Sequence, residues 1–177
     1  MSKLLVVVDM QNDFIDGALG TKEAVNIVDN VVKKINENKD NLIFVTYDTH
    51  NENYFNSLEG KKLPVEHCIH KTKGWELNSK IENALENCKD VDRLLKPTFG
   101  YTLWENRIRM LTNLKDIEEI EICGLCTDIC VVSNALILRA CFPDVVIKID
   151  SKCCAGVTPE SHEAALTTMK MCQIDVI

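Results

Sequence analysis

Three residues whose side chains can attack a carbonyl or move a proton each follow a segment of strand length. Asp9 and Lys96 come directly after such segments, and Cys130 comes a short turn after one. A thiol with a carboxylate and an amine beside it is sufficient for nucleophilic catalysis with proton transfer to the leaving group. Taken singly, Asp9 would be interpreted as a cap on the following loop, Lys96 as a surface lysine and Cys130 as a buried cysteine. The prediction of a catalytic group therefore depends on their meeting in space.

A second set of side chains suits a divalent metal ion. Asp48 and His50 are two positions apart, and side chains on extended backbone repeat every second residue, so both lie on one face. With His67 further along the same polar stretch, one carboxylate and two imidazoles suit Zn, Fe or Mn with coordination positions left open. His70 is an alternative third ligand. His162 is expected to be an ordinary histidine on a helix face.

Cys130 falls in the first turn of a helix predicted to start near Thr127 or Asp128. The N–H groups of a first turn have no partner within the helix, and the helix dipole places partial positive charge there. Both effects, with an ammonium from Lys96, would favour the thiolate and could hold a developing oxyanion. For Asp9, loss of solvation at a buried strand end is expected to raise the pKa toward a range useful for proton transfer.

Strand-like and helical segments alternate along the chain, as judged from apolar runs and from the 3.6-residue period. Strands are predicted over residues 4–8, 42–47, 91–95, 117–123, 145–149 and 173–177, and helices over 24–35, 77–88, 102–114, 128–142 and from 158 onward. Thr102 and Glu105 have the spacing of a capping box. The polar stretch 48–74 is too long for a simple connection and is expected to be a functional loop.

This alternation predicts a single α/β domain over residues 1–177. The expected architecture is a three-layer, doubly wound sheet, mostly parallel, with five to six strands and helices on both faces. Binding sites in such sheets form outside the carboxyl ends of the strands. Because Asp9, Asp48, Lys96 and Cys130 follow four successive strands, they are expected to meet at one edge.

Composition and charge narrow the classes of function. The chain has 177 residues, 46% of them apolar, and a formal net charge of -7 that is spread along it. Nucleic acids and anionic membranes need clustered positive charge, so neither is expected as a partner. The first apolar run is too short for a signal peptide, and no run approaches the roughly 18 residues that a membrane crossing needs. We therefore expect a cytoplasmic protein whose nine cysteines are thiols, mostly buried.

Three segments together resemble the isochorismatase-like family of cysteine hydrolases, in its nicotinamidase and pyrazinamidase branch. Residues 6–14 resemble the family's first strand with its catalytic aspartate, and residues 95–97 the segment with its catalytic lysine. Residues 123–131 resemble the nucleophile segment, with the pattern Gly-x-x-Thr-Asp-x-Cys. The pair Asp48-x-His50 and residues 63–68 resemble the metal-binding loop of nicotinamidases.

The resemblance implies an isochorismatase-like hydrolase fold and an amidohydrolase. Its substrate would be nicotinamide, or a close heteroaromatic carboxamide such as pyrazinamide, converted to the acid and ammonia through a thioester. Asp9 and Lys96 would assist the nucleophile Cys130. A divalent metal ion on Asp48, His50 and His67 would hold the ring nitrogen of the substrate. No organic cofactor is implied, and relatives often form dimers or tetramers, so a homo-oligomer is expected.

The resemblance also implies details of the pocket. The peptide bond between Leu125 and Cys126 should be cis, and the N–H groups of Cys126 and Cys130 should form an oxyanion hole. Phe14, with Leu125, should line the substrate pocket. Better-known nicotinamidases carry a tryptophan just before the metal histidine that stacks on the substrate ring. This chain has Leu63 and Pro64 there, and whether Trp75 takes that place is a question for the structure.

Other functions remain open on the sequence. Hydrolysis of an N-carbamoyl compound or another small amide would keep the fold and need no metal. Cleavage of isochorismate is disfavoured because that reaction needs no thiol. A non-catalytic thiol-binding or metal-binding protein would give Cys130 an ordinary thiol pKa.

Overall fold

The computed structural model describes residues 2–113 and 117–177, which form a six-stranded sheet with helices packed around it. The strands are β1 (Ser2–Val8), β2 (Leu42–Asp48), β3 (Asp90–Lys96), β4 (Ile117–Leu125), β5 (Val146–Ala155) and β6 (Asp175–Val176). Their order is β3-β2-β1-β4-β5-β6, and every neighbouring pair is parallel. The order runs outward from β1 in both directions, which defines a doubly wound sheet.

Seven α-helices connect or flank the strands. They are α1 (Asn12–Ile15), α2 (Lys22–Glu37), α3 (Leu58–Lys62), α4 (Ser79–Leu85), α5 (Trp104–Leu111), α6 (Val132–Cys141) and α7 (Pro159–Met171). A 3₁₀ turn (Tyr54–Asn56) precedes α3, and a π-helical turn (Thr127–Val131) precedes α6. Helices α1, α2 and α4 pack together, as do α5, α6 and α7. The three-layer α/β fold predicted from the sequence is therefore confirmed, with all strands parallel rather than most.

The central strand explains why the sheet is covered on both faces. All five residues from Leu4 to Val8 are at most 1% exposed, although alternate side chains point to opposite faces. A strand that is buried on both faces has a continuous run of apolar residues, as residues 4–8 do. The same pattern in Ile43, Phe44 and Val45 places β2 inside the sheet next to it.

Three predicted elements differ from the structure. Strand β5 continues to Ala155, well past the predicted end at residue 149, after a register shift between Ile122 and Gly124 of β4. The predicted capping box is wrong: among the described residues no side chain caps α5, which begins at the buried Trp104. The predicted helix over 128–142 starts instead as the π-helical turn. The end of the predicted helix at residue 114 lies outside the described residues.

The polar stretch 48–74 contains the 3₁₀ turn and α3, and Ser57 caps α3 by accepting a hydrogen bond from the Gly60 N–H at 2.9 Å. All nine cysteines are free thiols, and five of them are buried. Over residues 2–113 and 117–177, the helices lack the combination of length and apolar character that crossing a membrane requires.

Candidate active site

The carboxyl ends of β1, β2 and β3 bring three charged side chains to one edge of the sheet. Asp9 follows β1 directly, while Asp48 and Lys96 end β2 and β3 and are partners in the register of those strands. Asp9 has a left-handed backbone conformation, with a φ of 47°, which aspartate tolerates better than most residues. Parallel strands end at the same edge, so the meeting of these side chains follows from the topology.

Lys96 stands at the centre of the group. Its ammonium lies 2.6 Å from Asp9 Oδ2, 3.5 Å from Cys130 Sγ and 3.6 Å from Asp48 Oδ1. Asp9 and Lys96 are fully buried, and Cys130 is 4% exposed. The Thr46 hydroxyl donates a hydrogen bond of 2.7 Å to Asp9 Oδ1. The structure therefore brings the predicted thiol, carboxylate and amine into contact, and adds a hydroxyl that the sequence did not suggest.

Burial has the largest effect on the pKa of each group in this cluster. It raises the pKa of Asp9, and the charge of Lys96 and the Thr46 hydroxyl only partly oppose it. It also raises the pKa of Cys130 well above the ordinary thiol value, against the opposing charge of Lys96. Burial alone would lower the pKa of Lys96, but the negative charges around it, Asp9 first, raise it. A contact of 2.6 Å between Lys96 and Asp9 is that of an ion pair, so the resting cluster holds an ammonium, a carboxylate and a neutral thiol.

The raised pKa of Asp9 agrees with the sequence-based expectation, whereas the expected thiolate at Cys130 is wrong. The argument from the helix start counted the dipole and the neighbouring ammonium but not the complete burial of the sulfur. Desolvation of a charged form shifts pKa values by several units in fully buried groups, which is more than a helix end supplies. Any nucleophilic attack by Cys130 must therefore begin with transfer of its proton.

The π-helical register of the turn that carries Cys130 changes which N–H groups bond the Cys126 carbonyl. The Cys126 carbonyl accepts hydrogen bonds from the N–H of Ile129 at 3.1 Å and of Val131 at 3.0 Å. In an α-helix the same carbonyl would bond the N–H of Cys130, which the wider π-helical register passes over. The N–H of Cys130 is thus available to a ligand at the buried edge of the sheet.

Side chains from two other helices hold this turn. Asn134 of α6 donates a hydrogen bond of 2.7 Å to the Cys130 carbonyl, and its own Oδ1 accepts one of 2.8 Å from the Trp104 indole. At the start of the turn, Thr127 Oγ1 and His162 Nδ1 lie 2.8 Å apart. His162 lies on α7 and outside the Asp48, His50, Glu59 and His67 cluster, as expected, and its contact with Thr127 also joins α7 to the turn.

The peptide bond between Leu125 and Cys126 is cis, as expected from the resemblance. Just before it, Gly124 has a φ of +118°, and a Cβ there would clash with the carbonyl oxygen of Val8, its partner in β1. Glycine is therefore required where β4 passes close to β1 on the way into the turn.

Asp48, His50 and His67 come together as predicted, with Glu59 of α3 as a fourth member. One ligand atom from each of the four lies within 4.8 Å of all the others. The Nε2 atoms of His50 and His67 lie 3.0 and 3.5 Å from Asp48 Oδ2, and 3.4 and 3.7 Å from Glu59 Oε1. His70 lies outside this cluster, with its ring centroid 4.9 Å from that of Trp75.

The chemistry of this cluster fits a divalent cation. Two imidazoles and two carboxylates are ligands that Zn, Fe and Mn accept. His67 Nδ1 lies 2.8 Å from the Val65 carbonyl oxygen, so that nitrogen carries the proton and Nε2 keeps its lone pair for a metal. Burial alone would lower the pKa of His50, but Asp48 and Glu59 raise it to about 9, so the cluster favours bound positive charge. These four residues could hold a divalent metal ion.

The predicted pocket residues occupy different places. Phe14 of α1 is buried, and its ring centroid lies 5.5 Å from that of His67, so it contacts the four-residue cluster. Leu125 is fully buried at the end of β4. The Trp75 ring lies 5.1 Å from that of Tyr47, and its Nε1 donates to Thr49 Oγ1 at 2.9 Å. The contacts of Trp75 are thus with residues outside the predicted site.

Two polar residues of the first motif have structural functions that sequence reasoning missed. The Gln11 amide accepts from the Asp48 N–H at 2.8 Å and donates to the Asp48 carbonyl at 2.9 Å, which fixes the end of β2. Asp13 accepts a hydrogen bond of 2.7 Å from the Cys68 N–H, which fixes the backbone after His67. Their sequence signal was that both lie in a run of three polar residues, 11–13, directly after Asp9 and Met10.

Comparisons with known proteins find relatives along nearly the whole chain. A family model described as "Isochorismatase domain" matches residues 3–177. The nicotinamidase of Schizosaccharomyces pombe is 26% identical over 206 residues, which cover 98% of this chain and 91% of that protein. Among solved structures, the nicotinamidase/pyrazinamidase PncA of Bacillus subtilis is 27% identical with a TM-score of 0.83, and covers 99% of both chains. The pyrazinamidase of Pyrococcus horikoshii, solved in complex with zinc, is 26% identical with a TM-score of 0.79, covering 100% of this chain and 99% of that one.

The parallel doubly wound sheet, with polar side chains gathered at its carboxyl edge, defines an α/β protein with a candidate active site at that edge. The chain belongs to the isochorismatase family, since the family model matches nearly all of it. The family and these relatives together indicate a hydrolase that acts on amide bonds.

Proposed function

We propose that residues 1–177 form a single hydrolase domain that converts nicotinamide, or a close heteroaromatic carboxamide such as pyrazinamide, to the carboxylic acid and ammonia. The observation that carries this proposal is the position of the Lys96 ammonium, 2.6 Å from Asp9 and 3.5 Å from the Cys130 sulfur, at the buried edge of the sheet. The similarity to nicotinamidases and pyrazinamidases supports the choice of substrate. The four-residue cluster beside Phe14 supports a substrate with an aromatic ring.

Attack begins with a proton transfer inside the buried cluster. Asp9 accepts the proton of the Cys130 thiol as the sulfur forms a bond to the carboxamide carbon and the carbonyl electrons move to oxygen. Lys96 contacts both groups, so its positive charge balances the negative charge before the transfer and during it. The oxyanion accepts hydrogen bonds from the N–H groups of Cys126 and Cys130, the second of which the π-helical register leaves free.

Asp9, now protonated, gives its proton to the departing nitrogen, and the carbon–nitrogen bond breaks to release ammonia. The acyl group remains on Cys130 as a thioester. A water molecule then loses a proton to Asp9 and attacks the thioester carbon. Return of that proton to sulfur releases the acid and restores the thiol, so the balance is one amide and one water consumed for one acid and one ammonia.

Asp48, His50, Glu59 and His67 would hold a divalent metal ion, for which we propose Zn, Fe or Mn. When bound, such an ion supplies a Lewis-acid contact for the ring nitrogen of the substrate. The chain itself orients the ligands, through the Val65 carbonyl on His67 and the Gln11 amide at the end of β2. No organic cofactor is needed for the steps above. We also propose that the protein is cytoplasmic and forms a homo-oligomer, either a dimer or a tetramer. Both proposals rest on the resemblance alone, and light scattering measures the oligomeric state.

The test is ammonia release from nicotinamide by the purified, metal-loaded protein. Cys130→Ala and Asp9→Ala should abolish it, and Cys88→Ala, a half-buried cysteine at the end of α4, is the matched control that should not. Mass spectrometry after rapid quenching should find the acyl group on Cys130 in the wild type. Activity that survives Cys130→Ala would refute the assignment of the nucleophile. Hydrolysis of an N-carbamoyl compound without hydrolysis of nicotinamide would change the substrate and keep the mechanism.

A further inference from the structure

An apolar cleft of about 530 Å³ opens on the surface between α3 and the turn that carries Cys130. Its apolar wall consists of Leu58, Leu63, Phe99 and Ile129. Leu58 is 71% exposed and Phe99 45%, so these side chains face water without a partner. Exposed apolar walls of this kind mark binding sites more often than they occur by chance. We call this feature the outer cleft.

The outer cleft shares one residue with the candidate active site and is lined by sequence neighbours of two others. Glu59, which belongs to the metal cluster, also lines the cleft. Ile129 lines it from the π-helical turn, one residue before Cys130, and Thr98 lines it two residues after Lys96. The segments that supply the thiol, the ammonium and one cluster carboxylate therefore each contribute a wall residue. The direct link is Glu59, which belongs both to the cleft and to the four-residue cluster that would hold the metal ion.

We propose that the amides preferred by this enzyme carry an apolar substituent on the heteroaromatic ring, and that the substituent lies in the outer cleft against Phe99 and Leu63. The inference rests on the proposed function and extends it to a substrate class. The cleft volume falls within the range of about 300–1,000 Å³ that is usual for small-molecule sites. Nicotinamide itself has no group to fill it.

The experiment measures kcat/KM for ammonia release by the metal-loaded wild type with nicotinamide and with nicotinamides that carry methyl, propyl or carboxylate groups at ring carbons 4, 5 or 6 in turn. At one of these ring positions, kcat/KM for the propyl compound should exceed kcat/KM for the methyl compound by on the order of ten-fold. This is the effect expected from burying two more methylene groups. The carboxylate at the same position should give no gain. Phe99→Ser should remove most of the increase in kcat/KM that the propyl group gives and should change kcat/KM for nicotinamide much less.

Leu103→Ser is the matched control, because Leu103 is 54% exposed and lies outside the outer cleft. It should leave the ratio of propyl to methyl unchanged. Thermal melting of each variant verifies folding. Because the substituted side chains are about half exposed, we expect no large loss of stability. If nicotinamide is hydrolysed but no propyl isomer is preferred, the substrate class is wrong and the proposed function stands. If no amide is hydrolysed, the proposed function itself fails. A change of oligomeric state in Phe99→Ser, with the propyl ratio unaltered, would overturn the inference by assigning the cleft to an interface between copies.

Discussion

Thr46→Val removes a single hydroxyl from the candidate active site and keeps the shape of the side chain. In the structure that hydroxyl donates a hydrogen bond of 2.7 Å to Asp9 Oδ1, and Thr46 is fully buried. The backbone N–H of Asp9 keeps an acceptor in the variant, because it also bonds the Thr46 carbonyl at 3.2 Å. The Thr46 hydroxyl itself accepts a hydrogen bond of 3.3 Å from that N–H, so the substitution removes one donor to the carboxylate and one of two acceptors of the N–H.

The size of the effect follows from the charge of the acceptor. A hydrogen bond to a charged group contributes about 1.5–3 kcal/mol, and one pKa unit corresponds to about 1.4 kcal/mol. The Thr46 hydroxyl favours the carboxylate form and lowers the pKa of Asp9 against the effect of burial. Its removal should therefore raise the pKa of Asp9 by about one to two units. Since only the carboxylate can accept the thiol proton, the acid limb of kcat/KM should move to higher pH by the same amount.

The assay is the pH dependence of kcat/KM for nicotinamide in the wild type, Thr46→Val and Thr46→Ser. The serine variant keeps the hydroxyl and should keep the wild-type limb, whereas the valine variant should approach wild-type activity only at higher pH. Urea unfolding gives a second measurement. Because the pKa of Asp9 is raised in the folded state, its contribution to stability is lost as pH rises through that pKa. The stability deficit of Thr46→Val should therefore grow with pH. A folded Thr46→Val protein whose acid limb coincides with that of the wild type would refute the role of Asp9 as the base.

Three further substitutions test separate parts of the site. Cys126→Ala should keep kcat within about two-fold, because its proposed contribution is a backbone N–H; a large loss would assign a function to the thiol. Glu59→Gln should weaken metal binding by at least about ten-fold in a chelator competition assay, and unchanged affinity would remove Glu59 from the ligand set. Lys96→Met should abolish ammonia release and lower the free energy of unfolding in urea by about 3–5 kcal/mol, because it leaves buried carboxylates unpaired. A loss of under about 1 kcal/mol would show that the ion pair with Asp9 does not form.

The sequence was sufficient for the centre of the site because topology does most of the positioning. Once the apolar runs were recognised as parallel strands, their carboxyl ends had to share an edge. Asp9, Asp48 and Lys96 each lie at such an end, so their meeting needed no knowledge of side-chain packing. The topology also explains Gly124, because β4 lies too close to β1 at this position to accommodate any side chain.

The residues that were missed depend on local geometry that has no period in sequence. Glu59 reads as one more polar residue in a polar stretch, and only the Ser57 cap on α3 turns it toward His50. Thr46 lies inside a β-rich run, where its hydroxyl gave no reason to separate it from its apolar neighbours. Asn134 sits in an apolar helix and is understood only through its contact with the Cys130 carbonyl.

The π-helical turn could not be predicted because it differs from an α-helix by a single carbonyl–amide pairing. The residues Thr127–Val131 suit either register, and the choice depends on tertiary contacts. Those contacts are the Asn134 bond to Cys130 and the His162 contact with Thr127. The prediction of a capping box at Thr102 was wrong for a related reason. The Trp104 indole is buried and donates a hydrogen bond to Asn134, and this contact determines where α5 begins.

The raised pKa of Cys130 explains why the nucleophile and its base must act together. Lys96 supplies one positive charge to a buried space that already contains the carboxylates of Asp9 and Asp48. A thiolate formed by loss of its proton to water would add a third negative charge and would share the Lys96 ammonium with Asp9, while His50, whose pKa is raised, pairs with Asp48. Transfer of the proton to Asp9 leaves the total charge unchanged, so the ammonium stabilises the products of that transfer as well as it stabilises the resting pair. The same burial that makes the free thiol unreactive therefore couples its activation to the carboxylate that later protonates the leaving nitrogen.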